Sequence, residues 1–242
     1  MQPVETQTGT PPAQSPGFVR YLFLEWLRPV GEAILLAFLL TTFLFTTVGV
    51  VGTSDLPNLQ NGQRLFVPKY QTWLHRFGLG SFKRGDLVVV RPNAASPYAV
   101  QPMPFFGQWG ATFRPYFIKR IVGLPGDRLR MEGGQLYLNG RPVEEAHTVP
   151  FWRHLNQLDT ESDRANSDRW PFREGQTGEY TVPPGNYFVM GDNRSFGGSE
   201  DSRGFGPIPL GQIGGKATFV LWPPVQDGKL AWRSLETPEA FR

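Results

Sequence analysis

The sequence predicts a mostly-β domain carried on a single N-terminal transmembrane helix. Residues 33–51 contain no charge and no proline. As a helix rising ~1.5 Å per residue they would extend roughly 29 Å, the hydrocarbon thickness of a bilayer. From residue 59 onward, short apolar segments alternate with Gly, Pro and Asn-Gly turn signals, the pattern of short strands. The 242 residues include 28 glycines and 23 prolines, which leaves little room for long helices elsewhere.

Composition excludes several classes of function. The net charge is +3 and there is no basic run, so no nucleic-acid partner is expected. A mildly basic surface suits anionic lipid head groups. The absence of cysteine excludes disulfides, thiol catalysis and cysteine metal sites. There is no His-Glu-x-x-His zinc helix, no phosphate-binding Gly-rich loop ending in Lys-Ser or Lys-Thr, and no Gly-x-Ser-x-Gly elbow. Neither a cofactor nor a metal is called for.

Taken in order, residues 1–17 are rich in Gln, Thr, Pro and Ser and read as a disordered tail. Residues 18–51 combine an interfacial lead-in with the membrane anchor. Threonines do not spoil the anchor, because their hydroxyls bond back to helix carbonyls. Arg20 and Arg28 are the basic residues ahead of the run and favour a cytoplasmic N-terminus, which leaves the long C-terminal part outside. A cleaved signal peptide is the rival reading, with Val51-Gly52 as its cleavage site; the uncleaved anchor is preferred. Asn61-Gly62 marks a turn, and Leu87-Val88-Val89-Val90 reads as a strand buried on both faces. Residues 93–115 form a Pro- and aromatic-rich loop. Residues 116–122 form a strand ending in Leu124-Pro125-Gly126-Asp127, where Pro-Gly suits a type II turn. Asn139-Gly140 centres a hairpin. Residues 152–175 are a polar, charge-dense insertion that lacks the order of a calcium loop. Residues 182–190 are a turn feeding a strand, and 216–222 form the last strand. The domain would comprise 52–132 and 181–242, with 133–180 inserted as a hairpin and polar loop.

Only Gly52 and Thr53 separate the apolar run from Ser54. His75, His147 and His154 stand in weak surroundings for a base, and surface or packing roles fit them better. Lys119 is different. On a strand it shares a face with Phe117 and Ile121, while Ile118, Arg120 and Val122 take the other. Burial penalises an ammonium and favours a neutral amine, which can take the proton of a serine hydroxyl. Taken alone, a strand lysine more often snorkels to solvent.

Four blocks follow the anchor in order. They are Ser54-Asp55-Leu56-Pro57-Asn58-Leu59, Arg84-Gly85-Asp86-Leu87-Val88-Val89, Ile118-Lys119-Arg120-Ile121-Val122-Gly123-Leu124-Pro125-Gly126-Asp127, and Gly191-Asp192-Asn193-Arg194 with Ser199-Glu200-Asp201-Ser202-Arg203. Together they resemble the type I signal peptidases (leader peptidases), membrane-bound serine endopeptidases with a Ser–Lys dyad. The resemblance implies a β-barrel or sheet catalytic domain with a smaller inserted β subdomain, and cleavage of signal peptides from exported preproteins. It implies Ser54 as nucleophile, its backbone amide as oxyanion donor, and Lys119 as neutral general base. Ser199, rather than Ser195 or Ser202, matches the serine that hydrogen-bonds the lysine, and Asp201, Arg203 and Asp192 match its structural support. The implied partners are signal peptides, the lipid bilayer of a bacterial plasma membrane and the export translocon. Gly52 stands where some relatives carry a second oxyanion donor. Asp55 replaces Met and Asn58 replaces Thr. A carboxylate beside the dyad favours the ammonium unless it points to water or is paired, so a catalytically weak, membrane-anchored binding module is the alternative. A self-cleaving repressor shares the dyad but needs a DNA-reading domain in place of the anchor.

Overall fold

The computed structural model describes residues 17–92, 99–103, 105, 107–160 and 178–241. The tail expected over 1–16, part of the aromatic loop and most of the polar insertion lie outside these residues. The chain divides into two compact units, Met1–Thr42 and Phe43–Arg242.

The first unit is helical from Phe18, and the helix Arg20–Leu44 is long and apolar enough, by length and composition, to cross a bilayer. Its charges end at Glu32, which pairs with Arg28 at 2.8 Å one turn away. The Thr41 hydroxyl donates to the Ala37 carbonyl at 2.7 Å, so a polar residue is carried without an unmet hydrogen bond. The helix stops earlier than its apolar composition predicts. Residues Phe45–Gly49 are a strand, β1, and not the last turns of the anchor. Thr46, Thr47 and Val48 are β-branched, and β1 finds an antiparallel partner in β2, Arg64–Pro68. Apolar composition alone does not choose between helix and strand; here the β-branched residues and the partner edge decide it.

The second unit is mostly sheet. Its remaining longer strands are β3 (Leu87–Val90), β4 (Phe117–Gly123), β5 (Arg128–Glu132), β6 (Gln135–Leu138), β7 (Asn186–Met190), β8 (Ile213–Lys216) and β9 (Phe219–Trp222). One sheet runs β1-β2-β9 with Arg233–Ser234 at its edge. A second runs β7-β4-β3-β8, with Ile208–Pro209 beside β7. A third pairs β5 and β6, flanked by Tyr180–Thr181 and Arg141–Pro142. Among the described residues each sheet keeps two edges, so the sheets do not close into a barrel. The hairpin expected inside the insertion is present: Asn139 and Gly140 both take positive φ, as a two-residue primed turn requires. Its partner β5 lies before residue 133, so this sheet is not confined to the inserted segment. Gly126 has φ +86°, as the third position of a type II turn needs, and Asp127 N–H closes the turn on Leu124 O at 3.0 Å.

The last strand expected over 216–222 is two strands in different sheets. β8 pairs with β3 and β9 pairs with β2, and the chain changes sheet at Ala217 and Thr218. Further short strands follow, Val225–Gln226 with Lys229–Leu230 and then Arg233–Ser234. The change of sheet places core on both faces of β3. Leu87 and Val89 pack with Leu65, Val67, Ile118 and Val220; Val88 and Val90 pack with Ile121, Val189 and Ile213. All four residues of β3 are buried, as its unbroken apolar run predicts. This double-sided packing fixes the position of β4, which carries Lys119 opposite Val88.

Candidate active site

Ser54 lies in the turn-rich segment between β1 and β2. The entry is held by Val50, whose N–H donates to Gln63 O at 2.7 Å and whose carbonyl accepts from Gly62 N–H at 2.9 Å. Gly52 takes φ +92°, a conformation that favours glycine, and its N–H bonds Asn61 Oδ1 at 3.1 Å. The corner after β7 fixes the serine itself. Asn193 N–H donates to Ser54 O at 2.9 Å, and Asn193 Nδ2 donates to Thr53 O at 3.1 Å. A Cβ at Gly191 would collide with Ser54 O and Ser199 Oγ, so this position requires glycine for close approach and not for its φ.

Two side chains meet the Ser54 hydroxyl. Lys119 Nζ is 2.8 Å from Oγ, and Asp55 Oδ2 is also 2.8 Å from it. Lys119 is 2% exposed and its ammonium position lies 5.5 Å from the centre of the Phe117 ring, on the face that strand alternation assigns to it. Ser54 is half-buried. Among the described residues its backbone N–H has no acceptor. Asp55 neither points to water nor forms an ion pair: it is 3% exposed, and Oδ1 is buried without a partner among the described residues. Burial pushes its carboxyl up to about 6, against the opposing pull of Lys119.

Around this group stand three arginine–carboxylate forks. Arg120 Nε and Nη2 donate to Asp192 Oδ1 and Oδ2 at 2.7 and 2.6 Å. Arg194 grips Glu145 with two bonds of 2.6 Å, and Arg203 grips Asp201 with two of 2.9 Å. Burial alone would raise Asp192, yet the Arg120 charge and hydrogen bonds outweigh it and hold the carboxyl well below the usual range. Burial likewise opposes ionisation of Asp201, and the Arg203 fork overcomes it, holding the carboxyl at about 2. Asp201 Oδ2 also accepts from Gly191 N–H at 3.0 Å, tying this pair to the corner that grips Ser54.

The structure therefore brings Ser54, Lys119, Asp192, Asp201 and Arg203 into one buried region. The expected hydrogen bond from Ser199 to Lys119 is not formed. Ser199 Oγ is buried without a partner among the described residues, although it lies close to Gly191 as Ser54 O does. Of the histidines, His75 stacks on Phe82 and His147 Nε2 lies 3.6 Å from Asp192; neither touches Ser54. Sequence reasoning missed Arg120, Glu145 and the direct bond from Ser54 to Asp55. Arg120 carried a legible signal: an arginine amid Ile118, Ile121 and Val122 in a central strand must be paired. Asn58, a departure from the expected Thr, donates from Nδ2 to Asp192 Oδ2 at 2.8 Å and to His147 O at 3.1 Å.

The family described as signal peptidase, peptidase S26, matches residues 23–222. The chain belongs to this family. Signal peptidase I S of Bacillus subtilis is 34% identical over 201 residues, which cover 83% of this chain and 89% of that protein. Signal peptidase I of Bacillus licheniformis is 34% identical over 82% of this chain and 88% of its own length. A crystal structure of a signal peptidase I from Enterococcus faecalis shares 25% identity, covering 57% of this chain and 98% of that one, with a TM-score of 0.38.

Within this peptidase S26 member, Asp55 has a measurable thermodynamic signature. Its folded carboxyl titrates near 6, above the ordinary 3.8, so the unfolded chain ionises it first. Its favourable contribution is intact below pH ~4 and is lost as pH rises through ~6, a penalty on the order of 3 kcal/mol. Asp55→Asn removes that penalty. The full chain in detergent should unfold roughly 5–10 °C higher than wild type at about pH 8, with the difference gone near pH 4. Equal melting differences at both pH values would contradict the assignment.

Proposed function

We propose that the chain is a membrane-anchored serine endopeptidase that removes N-terminal signal peptides from exported preproteins. The observation that carries this reading is the 2.8 Å approach of a buried lysine amine to the Ser54 hydroxyl. The relatives named signal peptidase I supply the substrate class.

In this reading neutral Lys119 takes the Ser54 proton as Oγ attacks the scissile carbonyl. The resulting oxyanion is met by the Ser54 N–H, which has no other acceptor among the described residues. Protonated Lys119 then gives its proton to the leaving amine, and the peptide bond breaks to leave an ester on Ser54. Water, deprotonated by Lys119, cleaves the ester and restores the hydroxyl. Ser199, whose buried hydroxyl has no partner among the described residues, is the group that orients the amine once substrate is bound. Asp192, Asp201 and Arg203 hold the frame. The substrate adds as an extended strand, and small side chains at the first and third positions before the cut fit shallow pockets.

Helix Arg20–Leu44 is the anchor. Arg20 and Arg28 favour a cytoplasmic N-terminus, which sets the sheet unit on the outer face of a bacterial-type plasma membrane, where preproteins emerge from the translocon. The test is cleavage of a purified preprotein by the full chain in detergent. Ser54→Ala should process it at least ~10³-fold more slowly, since the nucleophile is gone. Processing at the wild-type rate removes the assignment.

A further inference from the structure

Ser54 Oγ is a branch point between an amine and a carboxylate, each 2.8 Å away. A hydroxyl has one proton to give. The same heavy-atom positions accommodate two proton arrangements. In one, the Lys119 ammonium donates to Oγ and the Ser54 O–H donates to the Asp55 carboxylate. In the other, the Asp55 carboxylic acid donates to Oγ and the Ser54 O–H donates to a neutral Lys119 amine. They differ by two short transfers. A Lys119 N–H bond breaks as an Oγ–H bond forms, and the former Oγ–H bond breaks as an Oδ2–H bond forms. No proton enters or leaves, and the total charge of the three groups is unchanged.

We propose that Asp55 is a catalytic residue that takes up the Lys119 ammonium proton through the Ser54 hydroxyl, so that the neutral base is generated inside the site without release of a proton to solvent. The inference rests on the Ser–Lys reading above and adds a third member to it.

Asp55 is built differently from its acidic neighbours. Asp192, Asp201 and Glu145 each sit in an arginine fork. Among the described residues, Asp55 has Ser54 as its side-chain hydrogen-bond donor, no ion pair, and a second oxygen that is buried and unpartnered. A carboxylate left so bare in a dry site accepts a proton readily. The charges facing it are Lys119 and Arg120, which favour its ionised form, and Asp192, which opposes it. Lys119 in turn faces Asp201. Burial prevails at Asp55, consistent with an acid that titrates near 6.

The proposal predicts a pH effect of definite sign. With Asp55 in place, the productive arrangement exists as soon as the pH passes the range where Asp55 and Lys119 are both protonated. Without it, a neutral amine arises only by loss of a proton to solvent, at higher pH. A carboxylate acting through its charge alone does the opposite: it favours the ammonium, so removing it would carry the acid limb of the rate profile to lower pH.

The experiment is kcat/KM against pH, from about pH 5 to about pH 10, for the full chain in detergent with a synthetic signal-peptide substrate. Wild type is compared with Asp55→Asn and Asp55→Met. The expected result is an acid limb displaced upward by about one pH unit or more, with at least ~10-fold lower kcat/KM near pH 6.5 and little change near pH 9.5. An acid limb that stays or moves down overturns the proposal. So does an equal loss at every pH in a variant that still unfolds cooperatively. If the Asn variant does not fold, the Met variant decides on the same criteria. Lys119→Ala, run in parallel, separates the two failures. Wild-type activity in that variant ends the Ser–Lys reading itself, whereas an inactive Lys119→Ala beside an unmoved Asp55→Asn profile ends the relay alone.

Discussion

Under the proposed Ser–Lys mechanism, Lys119→Met should abolish cleavage, by ~10⁴-fold or more, and leave the protein folded. Methionine fills nearly the volume of the lysine stem beside Phe117, and a volume-conserving swap keeps the packing of this strand face. What is lost is the only nitrogen base that touches Ser54 Oγ among the described residues. Without a base, attack must release a proton to water, and comparable losses elsewhere reach four to six orders of magnitude, about 10⁴–10⁶. Lys119→Arg sharpens the result. It keeps a cation in the pocket but cannot lose its proton, so it should be as inactive as the methionine variant. Measurable turnover by the arginine variant, read as kcat with the same peptide, would show that the lysine serves as a charge and not as a base.

The second large effect belongs to Arg120. Arg120→Met leaves the Asp192 carboxyl fully buried and, among the described residues, with only Asn58 Nδ2 at hydrogen-bonding distance and His147 Nε2 at 3.6 Å. Breaking one side of a buried pair costs ~3–5 kcal/mol, a large part of a typical domain's total stability. The carbonyl of Gly85, which accepts from Arg120 Nη1 at 2.7 Å, loses its partner as well. Equilibrium urea unfolding should show the loss, and adding Asp192→Asn should recover a substantial part of it. The sign with pH reverses too. In wild type Asp192 is depressed, so its stabilisation is present above pH ~4 and lost in acid. In the variant the bare carboxyl is raised, so the protein becomes relatively more stable as pH falls. A loss below ~1 kcal/mol with no pH dependence would mean that the fork contributes little. Because Asn193 N–H holds Ser54 O next to Asp192, the same variant should also slow cleavage.

Much of the site was legible because it depends on short-range patterns. Lys119 stands out as a cation on an apolar strand face, and the turn at Gly126 and the hairpin at Asn139-Gly140 are encoded by the φ values those residues accept. The four blocks carried the rest by resemblance. Arg203 and Asp201 are two residues apart, and their fork is local. Asp55 was visible as an anomaly, but whether it faced water or the hydroxyl was not. That choice depends on where β4 and the Gly191 corner close over residues 52–59, a matter of contacts far apart in sequence. Arg120 with Asp192, and Arg194 with Glu145, span 72 and 49 positions and leave no periodic trace.

The sequence by itself determined a helix apolar enough for a bilayer, a mostly-β domain, its tight turns and its family, because each depends on neighbouring residues. Only the tertiary structure decided where helix yields to strand at Phe45, that residues 213–222 divide between two sheets, and that Ser54 sits between a lysine and a buried acid. The physical reason is that an apolar segment or a lone charge is satisfied equally well by several environments. The partner that folding brings to it, a strand edge for residues 45–49 and the serine hydroxyl for Asp55, selects one of them.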